Sequence, residues 1–421
     1  MAIFRKILIA GLAAVIAAQT AFAEPPGAVL QKKLRWNAST IRIAVSRSVL
    51  SAANISGQNA VDAVRRGVRA WEAAAGVEFE IVLTDRENAS GPGAAGDGIS
   101  LITIAPNAEN MLIFGRDDLD AAAKTRIFYN RKGSITEADI VLNPTQQFST
   151  DGGYGAFDLE SIVTHEVGHL LGLRHSNVIG SIMYPTTARN GSTGIPGVLV
   201  RDIAEVDLAS LRELYSLSGG DACCGVVSGK LNPTPKSVRA TEIWAEDAFG
   251  RVVAETTAGQ DGTFRFGGIG AETVSVYARP WARNTDLSVS PLGEVSFDDG
   301  AAAITKRLQR QNRGFSIAAL GINGLLSDAA LRLVPGQTYT VILGGDRLKA
   351  DAIDVFTTSP FFSIDRSTIR DLDYGDGITA VSFLISVDEA GPPGNSWIYA
   401  ADRSGATDAL PGAITVTAAR R

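Results

Sequence analysis

All three histidines of this 421-residue chain fall within one run of eleven positions, His165-Glu166-Val167-Gly168-His169-Leu170-Leu171-Gly172-Leu173-Arg174-His175. Residues four apart on a helix are offset by only about 40°, so His165 and His169 project side by side from one face. A helix continued through His175 would carry that residue about 240° round, onto the far side. Gly172 removes the difficulty, because glycine enters the left-handed conformation that ends helices and turns the chain back. The run therefore predicts a helix that carries two imidazoles, stops at Gly172 and returns a third to the same point.

Three neutral imidazoles leave the fourth corner of a tetrahedral zinc ion open for water, as catalytic sites do and closed structural sites do not. Glu166 adjoins the first of them but is turned about 100° away, so its carboxylate can stand beside the ion without binding it. Zinc brings bound water toward a pKa of about 7, and a nearby carboxylate can take its proton as the water attacks a carbonyl. The prediction is one catalytic zinc with His165, His169 and His175 as ligands and Glu166 as general base. The rivals are an inactive or adhesin-like binding protein that uses zinc structurally, against which the intact Glu166 speaks, and a zinc hydrolase of a non-peptide bond.

The same residues, followed by Ser176 and then by Met183-Tyr184-Pro185, resemble the metzincin zinc site, and within that clan the matrixins, the matrix-metalloproteinase type. The resemblance implies a zinc metalloendopeptidase on an α+β domain, with a twisted, mostly parallel sheet and three helices. It makes Met183 the Met-turn beneath the ligands. It also assigns a start at Arg35-Trp36, a first helix bearing Trp71, and Glu137 to Asn143 as the strand before the zinc helix. Arg126 to Tyr129 becomes an edge strand that pairs with an extended substrate backbone, and Thr186, Thr187 and Ala188 wall the pocket on the leaving side. No cysteine precedes Cys223, so no prodomain thiolate is expected to block the zinc, and no further histidine serves a histidine-rich structural zinc. Calcium on loop carboxylates stays open, with no spacing that points to it.

At the N-terminus, Arg5 and Lys6 precede an apolar run, Ile7 to Ala18, that ends in Ala21-Phe22-Ala23. This is the pattern of a secretory signal peptide, and the run is shorter than the roughly 20 residues that span a bilayer. The mature chain is expected to be soluble and secreted, extracellular or, in a bacterium, periplasmic, with no membrane span. Its formal charge of −6 is spread rather than blocked, which argues against nucleic acid as the main partner. Cys223 and Cys224 are adjacent, so no ordinary long-range bridge can form within one molecule. They read as two small half-buried residues at a domain junction, in preference to a strained vicinal disulfide or a metal site.

From Trp36 to about Ser218 strand and helix signals mix. Thr40 to Ser46 alternates as a strand, Val61, Val64, Val68 and Trp71 form one helical stripe, and Asp202 with Glu205 makes a capping-box start for a last helix through Tyr215. Beyond Gly219 helical periodicity gives way to short β runs, for which two β-sandwich modules are the simplest account. The expected division is a leader, 1–23; the zinc domain, 24–218; a β-sandwich plus linker, 219–320; and a second β-sandwich, 321–421. Ala240 to Ile243, Asp247 to Ala254 and Gly262 to Phe266 resemble the carboxypeptidase-regulatory-like sandwich, and the last module resembles an immunoglobulin-like one. Trp281, Phe361, Phe362 and Trp397 read as core packing, with a sugar or protein platform as the alternative. The substrate is expected to be a protein or peptide, with an extracellular matrix or surface ligand as a further partner for the β modules. Every residue given a chemical role precedes Leu217, so a chain cut there is expected to fold and cleave short peptides alone.

Overall fold

The structure, a computed structural model, describes residues 33–417 apart from 52–54, 92–95, 116–117, 192–200, 216–223, 233–240, 281–287, 298–300, 309–313, 323, 328 and 376. The expected leader, the junction at Ser218 and Trp281 lie outside the described residues. Within them the chain is mostly β, with few helices, and forms three successive groups of elements.

The first group is built on a five-stranded sheet of order β2-β1-β3-β5-β4. Its strands are β1 (Thr40–Ser46), β2 (Glu78–Thr84), β3 (Ser100–Thr103), β4 (Ala123–Tyr129) and β5 (Ile135–Leu142). The pairs β1/β2, β1/β3 and β3/β5 are parallel, whereas β4 runs antiparallel to β5 and occupies the sheet edge. Two-residue strands β6 (Phe148–Ser149) and β7 (Phe157–Asp158) pair just before the histidine helix. Three longer helices accompany the sheet: α1 (Gly57–Arg69), α2 (Leu159–Leu170) and α3 (Glu205–Tyr215). Val61, Val64 and Val68 are buried along α1 as the stripe predicts. Trp71 lies just past the end of that helix, buried, and its indole N–H donates to the Thr164 carbonyl of α2 at 2.8 Å. An indole needs such a partner once buried, and this one locks α1 against α2.

The last helix begins later than its capping-box reading placed it, at Glu205. The carboxylate that folds back over the helix start is Asp207, which accepts from the Ala204 N–H at 3.0 Å. Ala204 has no side-chain acceptor, and Asp207 alone satisfies this otherwise orphaned donor.

The second group contains β8 (Gly225–Asn232), β9 (Thr241–Glu246), β10 (Val252–Thr257), β11 (Thr263–Ile269), β12 (Thr273–Pro280), β13 (Ser290–Ser296) and β14 (Ala301–Arg307). They form sheets of order β10-β9-β12-β13 and β11-β8-β14 around one hydrophobic core. The third group contains β15 (Ser316–Ile322), β16 (Leu325–Ser327), β17 (Leu331–Leu333), β18 (Thr338–Asp346), β19 (Ile353–Phe356), β20 (Phe362–Asp373), β21 (Thr379–Val387), β22 (Gly394–Asp402) and β23 (Thr407–Val416). Its sheets, β16-β15-β18-β21-β20 and β17-β23-β22-β19, likewise share a core. The region expected to contain a linker supplies β13 and β14 to the second group, and β15 opens the third.

The three groups are welded together. Val178 and Val206 of the first, Trp244, Val252 and Val289 of the second, and Trp397, Tyr399 and Ala409 of the third make one buried cluster. Trp397 is core, stacked on Trp244 with ring centroids 3.8 Å apart. The buried Glu246 carboxylate accepts from Trp244 Nε1, Thr358 Oγ1 and Tyr399 OH, joining the second group to the third. Helix α3 divides its buried side, Leu211 entering the first core and Ala209 the second. The reading of the cysteines as free small residues is corrected. Cys224 is disulfide-bonded, and Cys223 is the chain's one other cysteine. Cys224 has a φ of +99°, a backbone state rare outside glycine.

Candidate metal centre

Helix α2 is fixed at both ends. At its start the Asp158 carboxylate accepts from the Ser161 N–H at 2.9 Å and pairs with Arg201 at 2.6 Å, an N-cap that satisfies an orphan donor and sets a negative charge at the positive end of the helix. At its end Gly172 takes φ +99°. The Leu173 N–H bonds to the Gly168 carbonyl at 3.0 Å and the Gly172 N–H to that of His169 at 2.8 Å. These are the two bonds of a Schellman stop. The chain then turns back without regular structure through His175 to Met183.

The turn also orients the rings. His169 Nδ1 lies 2.9 Å from the Leu173 carbonyl oxygen, and His165 Nδ1 lies 2.6 Å from that of Ile182. A carbonyl oxygen only accepts, so each Nδ1 carries the proton and each Nε2 keeps its lone pair. His169 Nε2 and His175 Nε2 stand 3.1 Å apart, and one ring nitrogen from each of the three histidines lies within 4.8 Å of the others. Zinc–nitrogen bonds of about 2.0–2.1 Å place tetrahedral ligands about 3.3 Å apart, so the donor set fits zinc. Among the described residues this is the one cluster of three or more histidine, cysteine, aspartate or glutamate side chains whose donor atoms converge on a point. Burial, reinforced by the two neighbouring imidazoles, holds His165 well below its ordinary pKa, which keeps it in the neutral form that can ligate.

Glu166, buried on the same helix, turns toward β4, where Thr125 Oγ1 donates to its Oε2 at 2.5 Å. Burial pushes the Glu166 carboxyl up, while His169, the Thr125 hydroxyl and Lys124 pull it partly back. Met183 is buried against the underside of α2: a Cβ at Gly168, midway between Glu166 and Leu170, would overlap its Sδ. Trp36 donates from Nε1 to the Leu170 carbonyl at 2.8 Å, so Trp36 lies on the helix end. Arg126 to Tyr129 falls within β4, at the edge of the sheet. Thr186, Thr187 and Ala188 line a cavity of about 90 Å³ together with Tyr184, Ile182 and, from the third group, Ala329 and Ala330.

Three residues of this neighbourhood escaped the sequence reading. Thr125 had no motif to announce it. Asp207 accepts from Ser181 Oγ at 2.5 Å and from the Ile182 N–H at 3.2 Å, anchoring the segment before Met183. It follows Val206 and precedes Leu211 by one helical turn, and a carboxylate on such a buried face requires partners; that signal was available. Glu255, on β10, reaches Ser176 and Asn177 from another group of the fold, a contact no local pattern carries.

The family model for the matrixin peptidases matches residues 113–216. This segment is matrixin-like. It contains the three histidines, Glu166, Met183 and α3. The chain is similar to metalloendoproteinase 1 of Glycine max, 41% identical over 63 residues, 15% of this chain and 18% of the relative. It is also similar to metalloendoproteinase 1-MMP of Arabidopsis thaliana, 28% identical over 189 residues, 44% of this chain and 45% of the relative. It thus spans less than half the length of these relatives. Among solved structures, the major pilin subunit of Bacillus cereus overlaps 46% of this chain and 69% of its own at 14% identity, with a TM-score of 0.17, too low to carry an argument. Matrixins are zinc metalloproteases, and the matched segment carries the three histidines that could hold a metal ion. No described helix is long and apolar enough to cross a membrane.

Proposed function

We propose that the chain is an exported zinc endopeptidase in which His165, His169 and His175 hold one zinc ion and Glu166 is the general base. In this reading a metzincin α+β domain, 24–218, is followed by β-sandwich modules at 219–320 and 321–421. The observation that carries it is the convergence of three imidazole nitrogens with a buried carboxylate on the next residue of the same helix.

Zinc bound there supplies the Lewis acidity that brings water toward a pKa of about 7 and polarises the scissile carbonyl. The chain's own groups do the rest. The Leu173 and Ile182 carbonyls hold two of the ligand rings with Nε2 free. Glu166 accepts the proton of the attacking water and passes it to the departing amine. A carboxylate raised by burial and steadied by the Thr125 hydroxyl suits both halves of that task. Strand β4, with an unpaired edge, offers N–H and C=O groups to an extended peptide, and the cavity beside Tyr184 takes the side chain on the leaving side.

Glu166→Ala should lower kcat/KM on a quenched fluorescent peptide by at least about 10²-fold, the usual worth of acid–base catalysis, while bound zinc stays near one per chain. His175→Ala should lose the zinc instead. A Glu166→Ala chain retaining more than about a tenth of the wild-type rate removes Glu166 as the base. A wild-type chain that binds zinc yet cleaves nothing in a mixed peptide library is a binding protein.

A further inference from the structure

The segment from His175 to Met183 has no helix or strand of its own to hold it. Its first anchor is Ser176, buried, whose N–H donates to the Met183 carbonyl at 2.9 Å and whose Oγ accepts from the Val178 N–H at 3.1 Å. The hydroxyl proton goes elsewhere: Ser176 Oγ donates to Glu255 Oε1 at 2.5 Å, and the Asn177 N–H donates to the same oxygen at 2.9 Å. Glu255 lies on β10, in the second group. Farther along, the Ile179 N–H donates to the Pro411 carbonyl of β23 at 2.9 Å, and Val178 is buried among Trp244, Val252 and Tyr399. Strands from both later groups therefore grip the return segment, starting one residue after the third imidazole.

We propose that Glu255 is a positioning residue for His175, and that the downstream β strands are part of the scaffold of the metal centre. The inference rests on the zinc reading given above. His165 and His169 stand on a rigid helix, whereas His175 stands on irregular chain whose place is set by what it bonds to. One carboxylate oxygen receiving two donors from consecutive residues fixes both the position and the direction of that chain. A ligand left to wander by an ångström loses its share of the binding energy, and removing partners of this kind typically costs about 10–100-fold in metal affinity. On this proposal a chain cut after Leu217 lacks Glu255 and should bind zinc more weakly than the whole chain.

The test uses the full chain. Zinc affinity is measured by competition with a chromophoric chelator, alongside kcat and KM on a quenched peptide and thermal unfolding of the zinc-free protein. Glu255→Ala should weaken zinc binding by about 10–100-fold, with the zinc-saturated variant losing kcat more than KM. Glu255→Gln, whose amide oxygen can accept both donors, should stay within about threefold of wild type in zinc affinity, against that 10–100-fold loss. Ser176→Ala removes the bond from the other side and should follow Glu255→Ala; it decides the matter if the latter does not fold. Zinc affinity unchanged within about twofold in the alanine variants, or lost equally in Glu255→Gln, overturns the positioning role, whatever happens to the unfolding temperature. A wild-type chain that takes up no zinc overturns the zinc reading, and this proposal with it.

Discussion

Replacing Gly172 with alanine tests the turn on which the three-histidine geometry depends. The residue has a φ of +99°, and a Cβ there would overlap the Leu34 carbonyl oxygen and stand 3.3 Å from Leu214 Cδ2. Holding a non-glycine residue in such a backbone region costs about 1–3 kcal/mol. Forcing an extra carbon into a packed site costs about 1–3 kcal/mol more. Both clashing groups are tied down, since Leu34 leads into Trp36, which bonds to the Leu170 carbonyl, and Leu214 belongs to α3. The chain must bear a penalty of about 2–6 kcal/mol or let the turn relax. In the first case zinc-free protein loses that much stability by urea titration; in the second, His175 leaves its partners and zinc affinity falls by at least about tenfold. Gly172→Val should be worse, because β-branching tolerates positive φ least. An alanine variant within about 0.5 kcal/mol of wild type, the range of a neutral surface change, and with unaltered zinc affinity would refute the argument.

Two further outcomes follow from groups near the centre. Thr125→Val removes the hydroxyl that donates to Glu166 Oε2, a bond that favours the ionised carboxylate, so the Glu166 pKa should rise and the acid limb of the kcat/KM profile should move to higher pH, with zinc content unchanged; a limb that stays in place would detach Thr125 from the base. Asp207 is pushed up to about 6 by burial, against an ordinary 3.8, despite its hydrogen bonds. Between those pH values the folded chain holds a proton that the unfolded chain has released, so this group's contribution to stability grows as pH falls from about 6 to about 4. Comparing wild type with Asp207→Asn by urea titration of zinc-free protein at pH 4 and pH 7 should show the variant lacking that part of the profile.

Local chemistry made much of the centre legible in the chain alone. The helix, its stop at Gly172 and the meeting of three imidazoles follow from 3.6 residues per turn and from the freedom of glycine, both properties of neighbouring residues. Strand β1 and the stripe of α1 were readable for the same reason, since burial on one face imposes a period. The helix start at Glu205 was not, because Asp207 rather than Asp202 holds the backbone donor, and only packing chooses between two nearby carboxylates. What tertiary structure alone decided is the company each group keeps. Thr125 faces Glu166 across 41 residues of chain and Glu255 grips Ser176 across 79. Trp397 reads as core from the sequence, but that Trp244 is the ring stacked on it is a tertiary fact, and the β strands, which the sequence presents as appendages, close around the return segment. Contacts of that range leave no periodic trace in a sequence, because they are fixed by how whole sheets stack rather than by the conformation of adjacent residues.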